Sequence, residues 1–363
     1  MKIAAVETQI VDIPFVDGGK GEGITPTTWN RLEILLVRVE DEAGNVGWGE
    51  GFGYFVVDAT KAIVDRMIAP LLTGSEVVDI PAWNLATQRR LHLFGRYGVT
   101  LFAISAVDIA LWDLAAKRRG LPLYALLGAD AGRPIPFYAS LVRYADTAIA
   151  PRVCARALEQ GFSDLKLHEI TVPDVAACRA AVGAGVPISV DVNCVWSEDQ
   201  ARAVLAPLRD LGVTWLEEPV FPPEDMSALA RLRDGTLPIA AGENWCTQVQ
   251  FAQALAAGAV DLAQPSVTKV GGISEFLAIA DMCRQAEVPL MPHCPYFGPG
   301  FFASLHLATA IEEVRQLEYL FVDPEAHLAP LGNLGPGGSF RASDAPGIGF
   351  EPDEAVLRRY RRA

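Results

Sequence analysis

The sequence of 363 residues predicts an α/β fold in which a parallel (β/α) barrel follows an α+β domain. Two observations predict it. Apolar runs end in carboxylates at Asp191, Glu217 and Glu243, at steps of 26 and 26 residues. Each step has room for one short strand and one helix, which is the period of a (β/α) barrel. The first 122 residues instead read as strands followed by helices, which is typical of an α+β domain.

In the α+β domain, residues 1–122, the patterns indicate two strands, a turn and three helices. The strands are Ile3–Ile13 and Leu32–Val39, the turn is Glu42–Asn45, and the helices lie near 57–70, 77–93 and 100–119. Thr100 is the predicted N-cap of the last helix and Gly120 its stop. Gly18–Gly23 contains G-x-G without the strand and helix of a phosphate loop, so we expect a mobile glycine-rich flap.

From residue 123 to 330 strands alternate with helices. The predicted strands are 135–140, 163–168, 188–191, 214–217, 239–242, 262–266, 289–293 and 317–321. One polar residue per strand recurs at steps of 25, 26, 26, 23, 27 and 25 residues, namely Lys166, Asp191, Glu217, Glu243, Ser266, His293 and Glu318. The segment 331–363 is rich in Gly and Pro and ends in a basic helical stretch, so we expect it to pack back on the first domain.

Composition excludes several function classes. The formal charge is −14, from 30 basic and 44 acidic side chains, which argues against nucleic acid and anionic membrane surfaces as partners. The most apolar region, Leu101–Ala116, is interrupted by Asp108 and Asp113, and no signal peptide is recognisable, so a cytoplasmic location is predicted. Six cysteines without a C-x-x-C pair are expected to be reduced, and Cys194, Cys246 and Cys294, each just past a site residue, are expected to be small buried filler.

The three strand-end carboxylates are the strongest functional signal. One such residue would be explained by helix capping or by pairing with an arginine. Three on consecutive strands converge at the barrel mouth, where their repulsion requires a cation. Because the trio Asp191, Glu217 and Glu243 offers oxygen ligands only, the predicted cofactor is Mg²⁺ and not zinc.

Two further groups are candidates for catalysis. Lys166 and His168 alternate along one strand, so both face the interior, where burying either cation is costly. The functional interpretation is that Lys166 neutralises a substrate carboxylate and His168 moves a proton; the alternative is a pair that extends to solvent. His293 lies at matched depth on the predicted seventh strand. Glu318 either hydrogen-bonds the substrate or caps a helix. No pattern surrounds the other histidines, His92, His306 and His327.

Several motifs together resemble the enolase superfamily, specifically its mandelate racemase/muconate lactonizing enzyme subgroup, whose members include acid-sugar dehydratases. The motifs are Asp191–Asn193, Trp215–Pro219, Ala241–Asn244, Lys269–Gly272, Val46–Glu50 and Asp108–Asp113. The resemblance covers nearly the whole chain. It implies a (β/α)7β modified TIM barrel with an N-terminal α+β capping domain completed by the C-terminal segment.

The resemblance also implies roles for individual residues. Mg²⁺ would bind at the carboxylate trio, and a proton α to a carboxylate would be abstracted from a small-molecule substrate. Loops at Val16–Asn30 and Gly51–Tyr54 would close over that substrate. The implied supporting residues are Asn193, Ser266, Lys269, Glu318, Trp29 and Tyr54. A homo-oligomer is expected as well.

The chain departs from the family pattern at two positions. His168 stands where a second lysine is common, and Ser266 stands where members carry either an Asp that supports the seventh-strand His or a basic Lys. Which of Lys166 and His168 is the principal base is left open by the sequence. Three outcomes also remain open: a dehydratase of an acid sugar or small hydroxylated carboxylate, which is favoured, a racemase or epimerase, and a catalytically weak barrel that only binds ligands.

Overall fold

The computed structural model describes residues 1–20, 28–130, 132–332 and 334–362. The first domain is built on an antiparallel sheet of β1 (Ile3–Val16), β2 (Arg31–Asp41) and β3 (Val46–Gly51). The Asp41 carboxylate accepts the backbone N–H of Ala43 and of Asn45 and so stabilises the turn between β2 and β3. Part of the predicted flap, residues 21–27, lies outside the described residues.

Helices then cover one face of this sheet. They are α1 (Val57–Ile63), a π-helical turn (Val64–Ile68), α2 (Ala69–Leu72), α3 (Ile80–Arg90), a 3₁₀ turn (His92–Phe94), α4 (Val99–Arg118) and α5 (Leu123–Leu126). A Cβ on Gly49 would lie 1.9 Å from the Ala106 carbonyl oxygen, so glycine is required for α4 to pack this closely on β3. α4 is long and apolar enough to cross a membrane, but 83% of its apolar window is buried in this fold.

The predicted cap of α4 is wrong. Gly98, with φ of 53°, is the N-cap, and Thr100 lies in the first helical turn, where its hydroxyl donates to the Phe94 carbonyl. The chain enters α4 with a positive φ, which glycine tolerates best. The N-cap is therefore Gly98, although the side chain of Thr100 matches the common capping pattern.

The second domain is a parallel barrel in which strands and helices alternate. Its strands are β4 (Pro134–Ser140), β5 (Leu165–Leu167), β6 (Ile188–Asp191), β7 (Val213–Glu217), β8 (Ile239–Ala241), β9 (Leu262–Ala263) and β10 (Leu317–Leu320), and β10 pairs with β4. The helices are α6 (Ile149–Glu159), α7 (Val172–Val182), α8 (Glu198–Asp210), α9 (Met226–Leu232), α10 (Thr247–Ala257), α11 (Gly272–Gln285) and α12 (Pro299–Ala310). The (β/α)7β barrel with its capping domain is thus confirmed.

The seventh strand, predicted at 289–293, is wrong in extent. Leu290 alone bridges Ala263 on one side and Val314 on the other, which closes the barrel. Pro289 and Pro292 lack the N–H that a longer ladder needs. The strands predicted at 163–168 and 262–266 are shortened to 165–167 and 262–263, so His168, Ser266 and His293 all lie just beyond the pairing, in the loops at the barrel mouth.

The C-terminal segment contacts both domains. It contains β12 (Ser339–Arg341), which pairs with β4, and α13 (Glu354–Tyr360), while β11 (Asp323–Pro324), just before the segment 331–363, pairs with β1. After α13, the Arg362 guanidinium lies 2.6 Å from Asp12 and 2.8 Å from Asp58 of the first domain. The domain limits at 122 and 330 stay predictions.

Candidate active site

The strand ends bring the three predicted carboxylates together. Asp191 ends β6, Glu217 ends β7 and Glu243 follows β8 by two residues. One oxygen of each lies within 4.8 Å of the others, and all three residues are buried. Mg²⁺ binds oxygen at about 2.0–2.1 Å, so oxygens on one such ion lie about 3–4 Å apart, and small side-chain adjustments suffice. The donor set therefore fits a hard divalent cation.

Lys166 lies beneath this trio with its side chain fully buried. Its Nζ is 2.8 Å from Glu217, 2.8 Å from Glu318 and 3.3 Å from Asp191. Burial opposes the charge, but the surrounding carboxylates outweigh it and raise the pKa of Lys166 well above its usual value. Lys166 is thus an ammonium group that offsets part of the negative charge of these three carboxylates.

The acidic neighbours of this ammonium respond in opposite directions. Burial raises the pKa of Glu217 well above its usual range, and the other carboxylates add to that effect. Burial also opposes ionisation of Glu318, yet the charge of Lys166 prevails and lowers its pKa to about 2. Lys166 lowers the pKa of Asp191 in the same way. The described site thus holds more negative charge than Lys166 alone offsets, and a divalent cation would supply the difference.

Three residues just after the strand ends of the carboxylate trio have a left-handed backbone conformation. Asn193 has φ of 46°, Cys194 of 57° and Glu218 of 47°. Such conformations are costly for residues other than glycine and are tolerated best by Asn. They let the Asn193 N–H donate to Asp191 at 2.8 Å, which orients that carboxylate. Arg143 donates to the Asn193 side chain at 3.4 Å.

His168 has contacts at both ring nitrogens. Its Nδ1 contacts the backbone carbonyl oxygen of Leu141, and since a carbonyl only accepts, Nδ1 carries the proton. Its Nε2 lies 3.1 Å from Asp191, and the residue lines the cavity described below. Lys166 and His168 both reach Asp191, so the predicted shared orientation of these two side chains is present in the structure.

His293 approaches the trio from another side. Its Nε2 lies 3.0 Å from Glu243, and its Nδ1 lies 3.2 Å from Ser266 Oγ and 3.1 Å from Tyr296 Oη. Burial lowers the pKa of His293. Ser266 is therefore behind the imidazole and outside the cavity lining. Tyr296, which the sequence analysis missed, contacts both Ser266 and His293, and no signal in a single sequence distinguishes it from a core tyrosine.

Above these groups is a cavity of about 440 Å³. It is lined by Trp29, Phe52, Tyr54, Tyr97, Gly98, Phe102, Ser140, Val142, His168, Asn193, Pro223, Glu243, Asn244, Cys246, Lys269, His293, Pro295, Glu318 and Leu320. Trp29 and Tyr54 come from the two predicted capping loops, although residues 21–27 of the first loop lie outside the described residues. The Lys269 Nζ is 3.3 Å from Asn244 and 4.0 Å from Glu243.

The remaining histidines and the cysteines lie apart from this chemistry. His306 is buried and accepts the Tyr124 N–H at 3.2 Å, and neither it nor His92 or His327 lines the cavity. All six cysteines are free, and five of them are buried. Cys194 is partly exposed and donates to Glu218 at 2.8 Å. Cys246 alone of the six contributes to the cavity lining.

Family models match both domains. Residues 22–128 match the mandelate racemase / muconate lactonizing enzyme N-terminal domain, and residues 150–356 match the enolase C-terminal domain-like family. The chain belongs to the mandelate racemase/muconate lactonizing enzyme subgroup of the enolase superfamily. Enzymes of this superfamily use a divalent metal, which agrees with the buried acidic trio.

Relatives within this subgroup carry out two kinds of reaction. The chain is 29% identical to arabinonate dehydratase of Saccharolobus solfataricus over 91% of both chains, and 29% identical to D-galactarolactone cycloisomerase of Agrobacterium fabrum over 99% of both. A racemase structure from Streptomyces coelicolor with bound magnesium superimposes with a TM-score of 0.87 at 29% identity, covering 99% of this chain and 100% of that one. The protein is therefore an enzyme, and the names of its relatives, a dehydratase and two isomerases, agree with the expectation of a carbon–oxygen lyase first and an isomerase second.

Proposed function

We propose that this enzyme abstracts the proton α to the carboxylate of a small hydroxylated acid and then eliminates the β-hydroxyl as water. Asp191, Glu217 and Glu243 would hold Mg²⁺. When bound, the ion would supply positive charge for the substrate carboxylate oxygens, on which negative charge develops after deprotonation. The observation that carries this proposal is the convergence of the three carboxylate oxygens within 4.8 Å, between two histidines.

His168 is the proposed base. His168 lines the cavity, whereas Lys166 does not and is enclosed by three carboxylates. The Leu141 carbonyl holds the Nδ1 proton, so Nε2 is the nitrogen that would take a proton from the α-carbon once Asp191, 3.1 Å away, is engaged with Mg²⁺. The ammonium of Lys166 would offset part of the negative charge of Asp191, Glu217 and Glu318, which lowers the cost of placing a substrate carboxylate near them.

His293 is the proposed acid. It lines the cavity and contacts Glu243, whereas His168 contacts Asp191, so the two imidazoles address the substrate from different positions. A proton delivered by His293 to the β-hydroxyl would let it leave as water. Asn193, Lys269 and Glu318 line the same cavity and are proposed to bind the substrate.

The second candidate is epimerisation, in which the same two histidines would act on opposite faces of the α-carbon. If His293 returned the proton to the α-carbon instead of the hydroxyl, the configuration would invert. The similarity to both a dehydratase and a racemase agrees with either outcome. A homo-oligomer and a cytoplasmic location are also proposed and stay predictions.

Incubation with Mg²⁺ in D₂O tests the function. Substrate candidates are hydroxylated monocarboxylates, followed by NMR for α-deuterium and for a 2-keto product. Dehydration predicts the keto acid, and epimerisation predicts deuterated, inverted substrate without it. His168→Asn should remove both signals. Absence of α-proton exchange across the set, with ligand-induced stabilisation retained, would favour a barrel that only binds.

A further inference from the structure

The cavity has two dissimilar walls. The barrel side presents the charged or polar His168, Glu243, Lys269, His293 and Glu318, with the apolar Val142, Pro223, Pro295 and Leu320 beside them. The opposite side is a cluster of four rings from the first domain, which we call the aromatic wall: Trp29, Phe52, Tyr54 and Phe102. Within it, ring centroids lie 4.6 Å apart for Trp29 and Tyr54, 4.7 Å for Phe52 and Tyr54, and 5.1 Å for Phe52 and Phe102.

The aromatic wall offers few partners for hydroxyl groups. Phe52 and Phe102 have no polar side-chain atom. The Trp29 Nε1 is buried and has no hydrogen-bond partner among the described residues, so the Tyr54 hydroxyl is the polar side-chain atom of this wall that is left for a ligand. An open-chain sugar acid carries a hydroxyl on almost every carbon, and those facing this wall would lose water without replacement. A ring that presents a C–H face would lose nothing there.

The charged groups at and beneath the barrel side of the cavity limit the number of carboxylates that the ligand can carry. They are four carboxylates (Asp191, Glu217, Glu243 and Glu318) and two ammonium groups (Lys166 and Lys269). A divalent cation would bring this set to neutrality. Arg143 donates to the His168 carbonyl at 2.8 Å and to Asn193, and does not line the cavity.

A second substrate carboxylate would therefore face the aromatic wall. Among the described residues, Lys269 is the cation that borders this wall, with its Nζ 4.8 Å from the centre of the Phe52 ring. Asn244 and Glu243 already flank that ammonium, at 3.3 and 4.0 Å. The structure thus provides for one substrate carboxylate and leaves a second without a free cationic partner in the part of the cavity that is described.

We propose that the substrate is a monocarboxylate whose body is a compact ring, with one C–H face against the aromatic wall. This inference rests on the proposed function for the placement of the carboxylate. The cavity of about 440 Å³ has the size of small-molecule sites. Open-chain sugar monoacids and diacids are then poor ligands.

Two measurements on the intact enzyme with Mg²⁺ test this inference. Binding is measured by calorimetry for ring-bearing probes (3-hydroxyproline and 3-hydroxytetrahydrofuran-2-carboxylate) and for open-chain probes (gluconate and galactarate). We expect the better ring probe to bind at least about tenfold more tightly, corresponding to about 1.4 kcal/mol. Equal or tighter binding of an open-chain probe, or no binding by either set, would overturn the inference.

Proton exchange in D₂O separates this inference from the proposed function. Selective binding of ring probes without α-proton exchange would uphold the substrate class and remove the function. α-Proton exchange confined to open-chain acids would uphold the proposed function and contradict the inferred substrate class.

Variants of one loop supply a further test. Phe52→Asn should weaken ring-probe binding about tenfold or more, the size of one well-packed aromatic contact. Phe55→Asn is the matched control, because Phe55 is on the same loop, is 52% exposed and does not line the cavity. Equal effects of the two substitutions would contradict the role of the aromatic wall.

Discussion

The Nδ1 atom of His293 lies 3.1 Å from the hydroxyl oxygen of Tyr296. Burial raises the pKa of Tyr296 well above its usual value, so this partner stays neutral. A hydroxyl can donate to or accept from Nδ1, whereas a carboxylate only accepts. Together with Ser266, the Tyr296 hydroxyl therefore holds the imidazole in place whether or not Nδ1 carries a proton. Family members that carry an Asp at the position of Ser266 use a carboxylate instead.

Removal of this hydroxyl should impair steps that use His293 more than steps that use His168. We expect Tyr296→Phe to lower kcat for product formation about tenfold or more, which is the cost of about one well-placed hydrogen bond, while α-proton exchange is retained. Steady-state kinetics and NMR exchange measure the two steps. The control is Tyr360→Phe, because Tyr360 is a partly buried tyrosine that does not line the cavity and donates its hydroxyl to Glu325. Equal loss of both steps would indicate a structural role only.

Metal removal should abolish turnover and lower the melting temperature. Because an ion that binds the folded state only stabilises it, saturating Mg²⁺ at about 100 times its Kd should add about 2.7 kcal/mol to the free energy of unfolding. Differential scanning calorimetry with and without chelator measures this effect. Asp191→Asn and Glu217→Gln should each reduce the Mg²⁺-dependent shift. Full activity after exhaustive chelation would contradict the metal site.

Lys166→Met should destabilise the metal-free protein strongly. Lys166 is fully buried among three carboxylates, and removal of one partner from a buried ion pair costs roughly 3–5 kcal/mol, since a charge is left uncompensated. Added Mg²⁺ should recover part of the loss. Urea unfolding with and without Mg²⁺ gives both values. For Lys61→Met, in the partly exposed Lys61–Asp65 pair, the expected change is below about 1 kcal/mol, and a similar loss there would refute the argument.

Stability should fall as pH rises from 5 to 8, and Glu50 should account for part of the fall. Burial raises the pKa of Glu50 from 4.5 to about 7. Because the folded state binds this proton more tightly than the unfolded state, the stability contributed by neutral Glu50 is complete below pH 4.5 and is lost as pH rises through about 7. Its neighbours Tyr54 and Cys294 have raised pKa values and stay neutral in this range.

Glu50→Gln isolates this contribution. Glutamine can still accept the Gly300 N–H, which lies 2.7 Å from the Glu50 carboxylate. We expect the variant to lose roughly 2–3 kcal/mol less stability than the wild type between pH 5 and pH 8. Burial also raises the pKa values of Asp108 and Asp113, to about 7 and about 6, and they act equally in both proteins. Urea unfolding of the metal-free proteins measures the difference, and parallel pH profiles would be evidence against the assignment.

Two features of the sequence agree with the structure better than the predicted elements do. Pro289 and Pro292 flank the one residue that bridges in the seventh strand, and their missing N–H groups predict a short pairing. Gly98 precedes α4, yet Thr100 was preferred as the cap because its side chain matches the common pattern. In both cases a backbone requirement prevailed over a side-chain preference.

By itself the sequence determined the barrel and the acidic trio. The period of the strand–helix unit places Asp191, Glu217 and Glu243 at successive strand ends, and parallel strands all end at the same rim, so their meeting follows from spacing alone. Only the tertiary structure decided that Tyr296 and Ser266 share the Nδ1 of His293, that Lys166 is enclosed and His168 is exposed to the cavity, and that rings of the first domain form one wall of it. These contacts join residues that are far apart in the chain, and their geometry depends on loop paths and rotamers that no local period encodes.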